Sequence, residues 1–328
     1  MVQERIDLRS TPSAGKRTEQ HPEKSPQPLY LCGPTASGKS SHALSLAHAL
    51  NGEIVNGDAL QLYRGIETIT ASPSKKDRDL IPHHLYGIAD PCDTLNAGQY
   101  REMALPVLED IRRRGKLAIV VGGSGLYLKF LTHGPDDLPP TAATLRAELE
   151  TLSLHELNSR LRKVDPDAAA SIDRDNARYV QRALEISLTS GQPASQLRSS
   201  FRVPNGSLRG LLLSWDPSEL DLRIRKRTSE MLEGNAEREL ASLSSLGSAI
   251  SRAIGVPQIR RLIDGAIDRD ACLEEIVVAT RQYAKRQRTW FRREQWLTSI
   301  PGSCQSAEII ATAQRILSDG RAETSSIS

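Results

Sequence analysis

The chain has 328 residues, enough for one large domain or two small ones around a sizeable core. It is 38% hydrophobic and 25% charged with a formal net charge of +3, which suits a globular protein and excludes a general polycation. No apolar run approaches the about 18 residues of a membrane span, and the N-terminus lacks the apolar core of a signal peptide. Glu4, Asp7, Glu19 and Glu23 interrupt the basic residues that a transit peptide would need. Cys32, Cys92, Cys272 and Cys304 are far apart with no C-x-x-C pair, which argues against a zinc site or disulfide framework and for a reducing cytoplasm.

Residues 1–27 are rich in Pro, Ser, Glu and Lys and are expected to form a disordered extension. From residue 28 the texture alternates between strand and helix. Leu29–Cys32 reads as a strand, Ser41–Leu50 as a helix, Glu53–Asn56 as a strand, Ala97–Arg114 as a helix and Leu117–Val121 as a strand. The second and third strands are continuous apolar runs, as buried parallel strands are. The expected fold class is therefore α/β, a doubly wound parallel sheet of the phosphate-loop NTPase kind, with ligands at the carboxyl ends of its strands. The texture changes around Pro135–Pro140, and residues 138–208 are helical and charged, a helical insertion in the core. Within it Asp175–Thr189 reads as one helix with Tyr179, Ala183 and Ile186 on one side and Arg178 and Arg182 on another. Leu211–Trp215 reads as a returning strand, with helices thereafter. The expected division is 28–137 with 209–328 as catalytic core, interrupted by 138–208.

Between the first strand and helix lies Gly33-Pro34-Thr35-Ala36-Ser37-Gly38-Lys39-Ser40, a complete G-x-x-x-x-G-K-[ST] loop. Its glycines let backbone N–H groups converge on phosphate oxygens, Lys39 adds a point charge, and Ser40 offers a hydroxyl to Mg²⁺. The plainer alternative is a glycine-rich turn at an ordinary strand–helix junction. Past the second strand, Asp58 opens Asp58-Ala59-Leu60-Gln61, on the same sheet edge as the loop. Its carboxylate suits a metal, a general base, or simply a helix N-cap. Gln61 offers an amide that matches an adenine edge.

The third strand ends in Gly122-Gly123-Ser124-Gly125 where many phosphate-loop ATPases carry a metal-anchoring aspartate, which argues against a motor. Ser124 alone is equally a turn serine. His83 and His84 lack neighbouring metal ligands and are expected in structural or substrate-adjacent roles. From Arg281 to Arg293 there are six basic residues and no acidic one. Arg281, Lys285, Arg288 and Arg292 recur at helical spacing, while Val277, Ala284 and Phe291 can seat another face on the core. A second cluster comprises Arg223, Arg225, Lys226 and Arg227. Such stripes suit a polyanion, or form a solvated face.

In order along the chain, GPTASGKS at 33–40, DALQLYRG at 58–65, PHHL at 82–85, VGGSGLYLK at 121–129, RYVQRALEI at 178–186 and ATRQYAKRQRTWFR at 279–292 resemble the tRNA dimethylallyltransferases, continuously over about 28–297. The resemblance implies transfer of a dimethylallyl group from its diphosphate to the exocyclic amine of the adenosine just 3′ of the anticodon, in tRNAs that read codons beginning with U. The donor diphosphate would sit on Gly33, Pro34, Thr35, Ala36, Ser37, Gly38, Lys39 and Ser40, with Mg²⁺ on Ser40 and Arg223 clamping it. Asp58 would take the amine proton, beside Ser124, which stands where the family has threonine. Contacts to the anticodon stem-loop are implied for Asp58, Ala59, Leu60, Gln61, Ser124 and Arg146, for Arg178, Tyr179, Val180, Gln181 and Arg182, and for Arg252, Ala253, Ile254, Gly255, Val256 and Pro257. The C-terminal helix would add Lys285, Arg286, Gln287, Arg288, Thr289, Trp290, Phe291 and Arg292. The expected protein is a cytoplasmic monomer.

The sequence departs from the family's usual pattern at Ala59 for serine, at Ser72 for lysine, and at Val256-Pro257 for an aromatic and a cation; altered tRNA affinity is expected, with the chemistry kept. Three rivals share part of the pattern. An adenylate isopentenyltransferase acting on free AMP or ADP needs neither insertion nor basic helix. A nucleotide or shikimate-type kinase shares only the loop, and a non-catalytic tRNA-binding module has no use for Asp58.

Overall fold

The computed structural model describes residues 26–134, 141–197 and 208–322, so the proposed N-terminal extension and both ends of the insertion lie largely outside the described residues. The elements in order are β1 (Leu29–Cys32), α1 (Lys39–Ala49), β2 (Gly52–Asn56), the short α2 (Glu67–Thr70) and α3 (Lys75–Leu80), β3 (His83–His84), α4 (Ala97–Arg113), β4 (Leu117–Gly122) and α5 (Gly125–His133). There follow α6 (Ala143–Glu150), α7 (Leu154–Val164), α8 (Pro166–Ser171), α9 (Ala177–Ser190) and α10 (Ala194–Leu197). The chain then returns through β5 (Arg209–Ser214), α11 (Pro217–Glu233), α12 (Ala236–Ser242), α13 (Val256–Ile263), α14 (Arg269–Phe291), β6 (Leu297–Pro301) and α15 (Ser306–Ala322).

The strands make one parallel sheet in the order β3-β2-β4-β1-β5-β6. Side chains alternate between its faces. Tyr30, Cys32, Val55, Ala118 and Val120 enter the layer of α4, α5 and α12–α14, whereas Leu29, Leu31, Ile54, Ile119 and Leu211 pack with α1 and α15. Helices on both faces bury β2 and β4 throughout and explain the continuous apolar run of β4; β2, expected as such a run, carries buried Glu53 and Asn56 around Ile54 and Val55. The register aligns Cys32 with Gly122 and Leu212, and Asn56 with Val121. The loops after β1, β2, β4 and β5 therefore leave from one edge.

Two strands escaped the sequence reading. β3 has only two residues, and β6 was masked by its half-exposed edge position and by Pro301. β5 also begins at Arg209 and leaves Trp215 beyond its end. Helices α6–α10 enclose a small core of their own from Leu149, Leu157, Leu161, Val180, Ala183, Leu184 and Ile186. In α9 the buried face carries Val180; Tyr179, expected beside Ala183 and Ile186, is 56% exposed. Its position one residue from Val180 rotates it by about 100° away from the core. Among the described residues, no helix is long and apolar enough to cross a membrane.

Candidate active site

The phosphate loop leaves β1 and enters α1 through Gly38, whose φ of +89° needs a residue without a Cβ. Side chains from distant elements hold the loop's carbonyls away from its hollow. Lys39 Nζ donates to Gly33 O at 2.9 Å and Pro34 O at 2.8 Å. Arg223 Nε donates to Ala36 O at 2.8 Å while its guanidinium stacks 4.3 Å from the Trp215 ring centroid. Trp215 Nε1 donates to Ser37 O at 3.0 Å. Arg227 Nη1 donates to Thr35 Oγ1 at 3.0 Å.

An ammonium has three donors, and two of Lys39's are used on the loop, leaving one for a ligand. Burial pulls the Lys39 pKa down to about 8, against the neighbouring Asp58 charge, which supports the ammonium. Burial lowers Arg227 in the same way, again opposed by Asp58. Two desolvated cations therefore lie beside the start of α1, an arrangement whose charge suits an anion.

Past β2, buried Asn56 shapes the carboxylate loop. Its Nδ2 donates to Asp58 O at 3.0 Å and Leu85 O at 2.9 Å, its Oδ1 accepts from Asp58 N at 2.8 Å, and its own carbonyl accepts from Tyr100 at 2.7 Å. Asp58 Oδ1 accepts from Leu60 N at 3.2 Å, a local turn contact two residues on; the short turn Leu60–Leu62 that follows starts from Ala59 without a side-chain cap, so Asp58 is not an N-cap. Ser124 Oγ accepts from Ala59 N at 2.9 Å, and burial pushes the pKa of the Tyr283 hydroxyl, on the same cavity wall, well up. Tight contact of Gly122 with the backbone of Gly57 brings these two loops together.

One cavity of about 750 Å³ runs along this edge. Thr35–Ser40, Asp58–Gln61 and Ser124 line it together with Arg178 of α9, Arg223 and Arg227 of α11, Arg252, and Tyr283 and Arg286 of α14. Ile69, Tyr86, Val121, Ile254 and Ile276 supply apolar wall.

The other expected contacts divide. Arg146 and Arg182 reach the buried Glu185 at 3.3 and 3.1 Å, and Gln181 Nε2 reaches it at 3.3 Å. Burial raises the pKa of Glu185, but hydrogen bonds from Arg182, Arg146 and Thr141 overcome this and leave it lowered. Lys285, Arg286, Thr289, Arg292 and Pro257 are exposed, Arg288 and Trp290 half-buried. Arg281 pairs with Asp221 at 3.2 Å, whereas Lys285, Arg288 and Arg292 meet no acid among the described residues. Gly255 caps α13 with φ of +98°.

Four expected contacts are corrected by burial: Val180, Val256, Gln287 and Phe291 are each at most 4% exposed, whereas Ala253, also buried, lines the cavity. The four fill the core side of helices whose other faces are open. The amide nitrogen of Gln61 is likewise committed, to Thr70 O and Ala71 O at 3.0 Å each, and is not free to read a base. His84 bonds Glu53 at 2.8 Å, a structural role, and no cluster of metal-ligating side chains occurs among the described residues. Sequence reasoning overlooked Asn56, Trp215, Arg227 and Tyr283 as site residues. Arg227 follows Arg223 by one turn, and Tyr283 follows Ile276 and Thr280 on the cavity face of α14, so helical spacing from known lining residues would have found both.

Fold and site define a phosphate-loop α/β protein that presents a carboxylate and a hydroxyl beside an anion hollow, in a cavity that reaches a basic helical surface. The family model described as IPP transferase matches residues 61–294. A tRNA dimethylallyltransferase of Akkermansia muciniphila is 44% identical over 89% of this chain and 98% of its own length. That of Methylococcus capsulatus is 38% identical over 84% and 94%. Among solved structures, the tRNA isopentenylpyrophosphate transferase of Bacillus halodurans superposes with a TM-score of 0.66 at 29% identity, covering 91% of this chain and 99% of that one. A eukaryotic dimethylallyltransferase acting on tRNA gives 0.76 at 27% identity, covering 90% and 80%. The chain belongs to the IPP transferase family, whose relatives here are tRNA dimethylallyltransferases.

Proposed function

We propose that the chain transfers a dimethylallyl group from dimethylallyl diphosphate to the exocyclic amine of the adenosine 3′-adjacent to the anticodon, in tRNAs reading codons that begin with U. The observation that carries this reading is the single cavity shared by the phosphate loop, the Asp58–Ser124 pair and the arginines of α9, α13's approach and α14. A nucleotide kinase has no need for the last of these.

The backbone N–H groups of Gly38, Lys39 and Ser40, with the side chains of Lys39, Arg223 and Arg227, hold the diphosphate and neutralise charge as the allylic C–O bond breaks. Ile69, Tyr86, Val121, Ile254 and Ile276 suit the five-carbon chain. Asp58 accepts the amine proton, and Ser124, fixed by Ala59 N–H, orients the reacting region. The base enters by leaving the anticodon-loop stack, at a cost of about a few kcal/mol. The insertion, about 138–208, grips the anticodon stem through Arg178 and its neighbours, and Lys285, Arg288 and Arg292 bind phosphates.

The donor set fits Mg²⁺. Ser40 is an exposed hydroxyl at the first turn of α1 with no carboxylate cluster around it, as suits a cation held chiefly by diphosphate oxygens and water. Bound there, Mg²⁺ would supply further charge to the leaving diphosphate. Action as a cytoplasmic monomer completes the reading.

The test is label transfer from dimethylallyl diphosphate, with Mg²⁺, to unmodified tRNA and to AMP in parallel. Label at the adenosine beside the anticodon is expected. Label in AMP alone would replace the reading with a cytokinin-forming activity, and label in neither would refute both.

A further inference from the structure

Gln287 stands in the sequence between two cations of the basic stripe, yet is only 4% exposed. Its carboxamide reaches two strand-end loops. Oε1 accepts from Thr35 N at 2.8 Å, and Nε2 donates to Gly123 O at 2.9 Å. One turn earlier on α14, Tyr283 lines the same cavity as Ser124, and burial pushes its hydroxyl pKa well up.

Any buried amide pairs with backbone groups, but this one pairs with a peptide that matters. The other side chains that touch the loop backbone, Lys39, Arg223 and Trp215, all take carbonyl oxygens. Gln287 takes an N–H. In a trans peptide the C=O points opposite to the N–H. Holding Thr35 N–H toward α14 therefore turns Pro34 O the other way, and that oxygen is the one Lys39 Nζ reaches at 2.8 Å. The orientation of a single peptide plane links α14 to the ammonium of the anion site.

We propose that Gln287 is a positioning residue of the diphosphate site: from the core side of the helix whose outer face carries Lys285, Arg288 and Arg292, it fixes the Pro34–Thr35 peptide and with it the Lys39 ammonium. The inference rests on the function proposed above and deepens it. It also assigns Gln287 a role unlike that of its basic neighbours, whose side chains face outward.

The test uses the full chain carrying Gln287→Glu or Gln287→Leu. Inorganic diphosphate binding is measured by calorimetry and tRNA binding by filter retention. The Leu variant removes both hydrogen bonds at similar volume. The Glu variant keeps the acceptor for Thr35 but faces Gly123 O with a carboxylate until it protonates; the introduced carboxyl, raised by burial, then donates to Gly123 O as the amide does. The nearest titratable groups are Tyr283, Lys39, Arg227 and Asp58, and taking each affinity as a ratio to wild type at the same pH cancels their own titration.

Diphosphate affinity is expected to fall about tenfold in the Leu variant at every pH, the effect of losing the hydrogen bond that orients the Pro34–Thr35 peptide, the bond to Gly123 O bearing on stability instead. In the Glu variant, its carboxylate repelled by Gly123 O, it should fall similarly near about pH 7.5 and return toward wild type near about pH 5.5, while tRNA affinity of both stays within about twofold. Wild-type diphosphate affinity in both variants overturns the inference. So does equal weakening of diphosphate and tRNA without recovery in acid, which would mean that the helix had simply shifted. Wild-type protein that binds no diphosphate overturns the functional reading together with it. If the Glu variant does not fold, the Leu variant alone decides, by whether diphosphate weakens while tRNA does not.

Discussion

Replacing Asp58 by Asn removes the carboxylate, both as proton acceptor and as the charge that supports Lys39 and Arg227, while leaving the residue's backbone and hydrogen bonding in place. The substitution conserves shape and keeps an Oδ1 to accept the Leu60 N–H, now made at 3.2 Å. The clasp of Asn56 on the Asp58 backbone, at 3.0 and 2.8 Å, involves no atom of the side chain and persists. The loop and the cavity wall should therefore stand unchanged, and tRNA should bind as before. What disappears is a carboxylate able to take the amine proton, a contribution of about 10²–10⁴ in rate, or about 2.7–5.5 kcal/mol of barrier. A single-turnover assay with enzyme in excess over labelled tRNA separates this step from product release. Asp58→Ala serves as the structural control: it loses the hydrogen bond to Leu60 N as well, about 1 kcal/mol, and should melt lower than Asp58→Asn while matching its rate loss. A single-turnover rate for Asp58→Asn within about tenfold of wild type would refute the assignment of Asp58 as base.

Three further outcomes are expected. Reversing charge at Lys285 and Arg288 together should weaken tRNA binding and reduce the slope of log K against log salt by about 1.4–1.8, two phosphate contacts at 0.7–0.9 each; an unchanged slope returns the stripe to a solvated face. Gly122→Ala places a methyl group into the backbone of Gly57, where nothing flexible can give way, so a loss of about 3 kcal/mol or more and a lower thermal midpoint are expected, against no change if the strands can part. Hydrogen bonding from Arg114, joined by His84 and Lys116, holds Glu53 down to about 2 despite its burial. Its folded pKa lies below the ordinary 4.5, so its contribution is present above that value and is lost as pH falls toward about 2. Glu53→Gln should therefore melt lower at neutral pH and lose less of its thermal midpoint on acidification across that window, and parallel acid profiles would contradict this.

Much of the molecule is written locally. The phosphate loop is legible because its glycines, lysine and hydroxyl are contiguous and flanked by an apolar run and a helix, and β1 and β4 because burial on both faces makes them uniformly apolar, with β2 marked only by its Ile54-Val55 centre. Parallel strands in register then oblige Asp58 and Ser124 to leave from the same edge as the loop, so their company was also predictable. The face of each helix was harder. In α9 a rotation of one residue decides that Val180, not Tyr179, is buried, and only the helices packed around it set that angle. In α14 the outward cations follow from spacing, but nothing local distinguishes Gln287 from the residues beside it. Its partners, Thr35 and Gly123, lie 252 and 164 residues away. Arg227 on Thr35 and Trp215 on Ser37 span 192 and 178. The sequence by itself determined the inner strands, the long helices and which loop receives phosphate, because those follow from neighbours in the chain, while the two-residue β3 and the edge strand β6 did not show. The tertiary structure decided which side chains hold that loop in shape, because hydrogen bonds across such separations exist only once the sheet has brought its strand ends and α11 and α14 together.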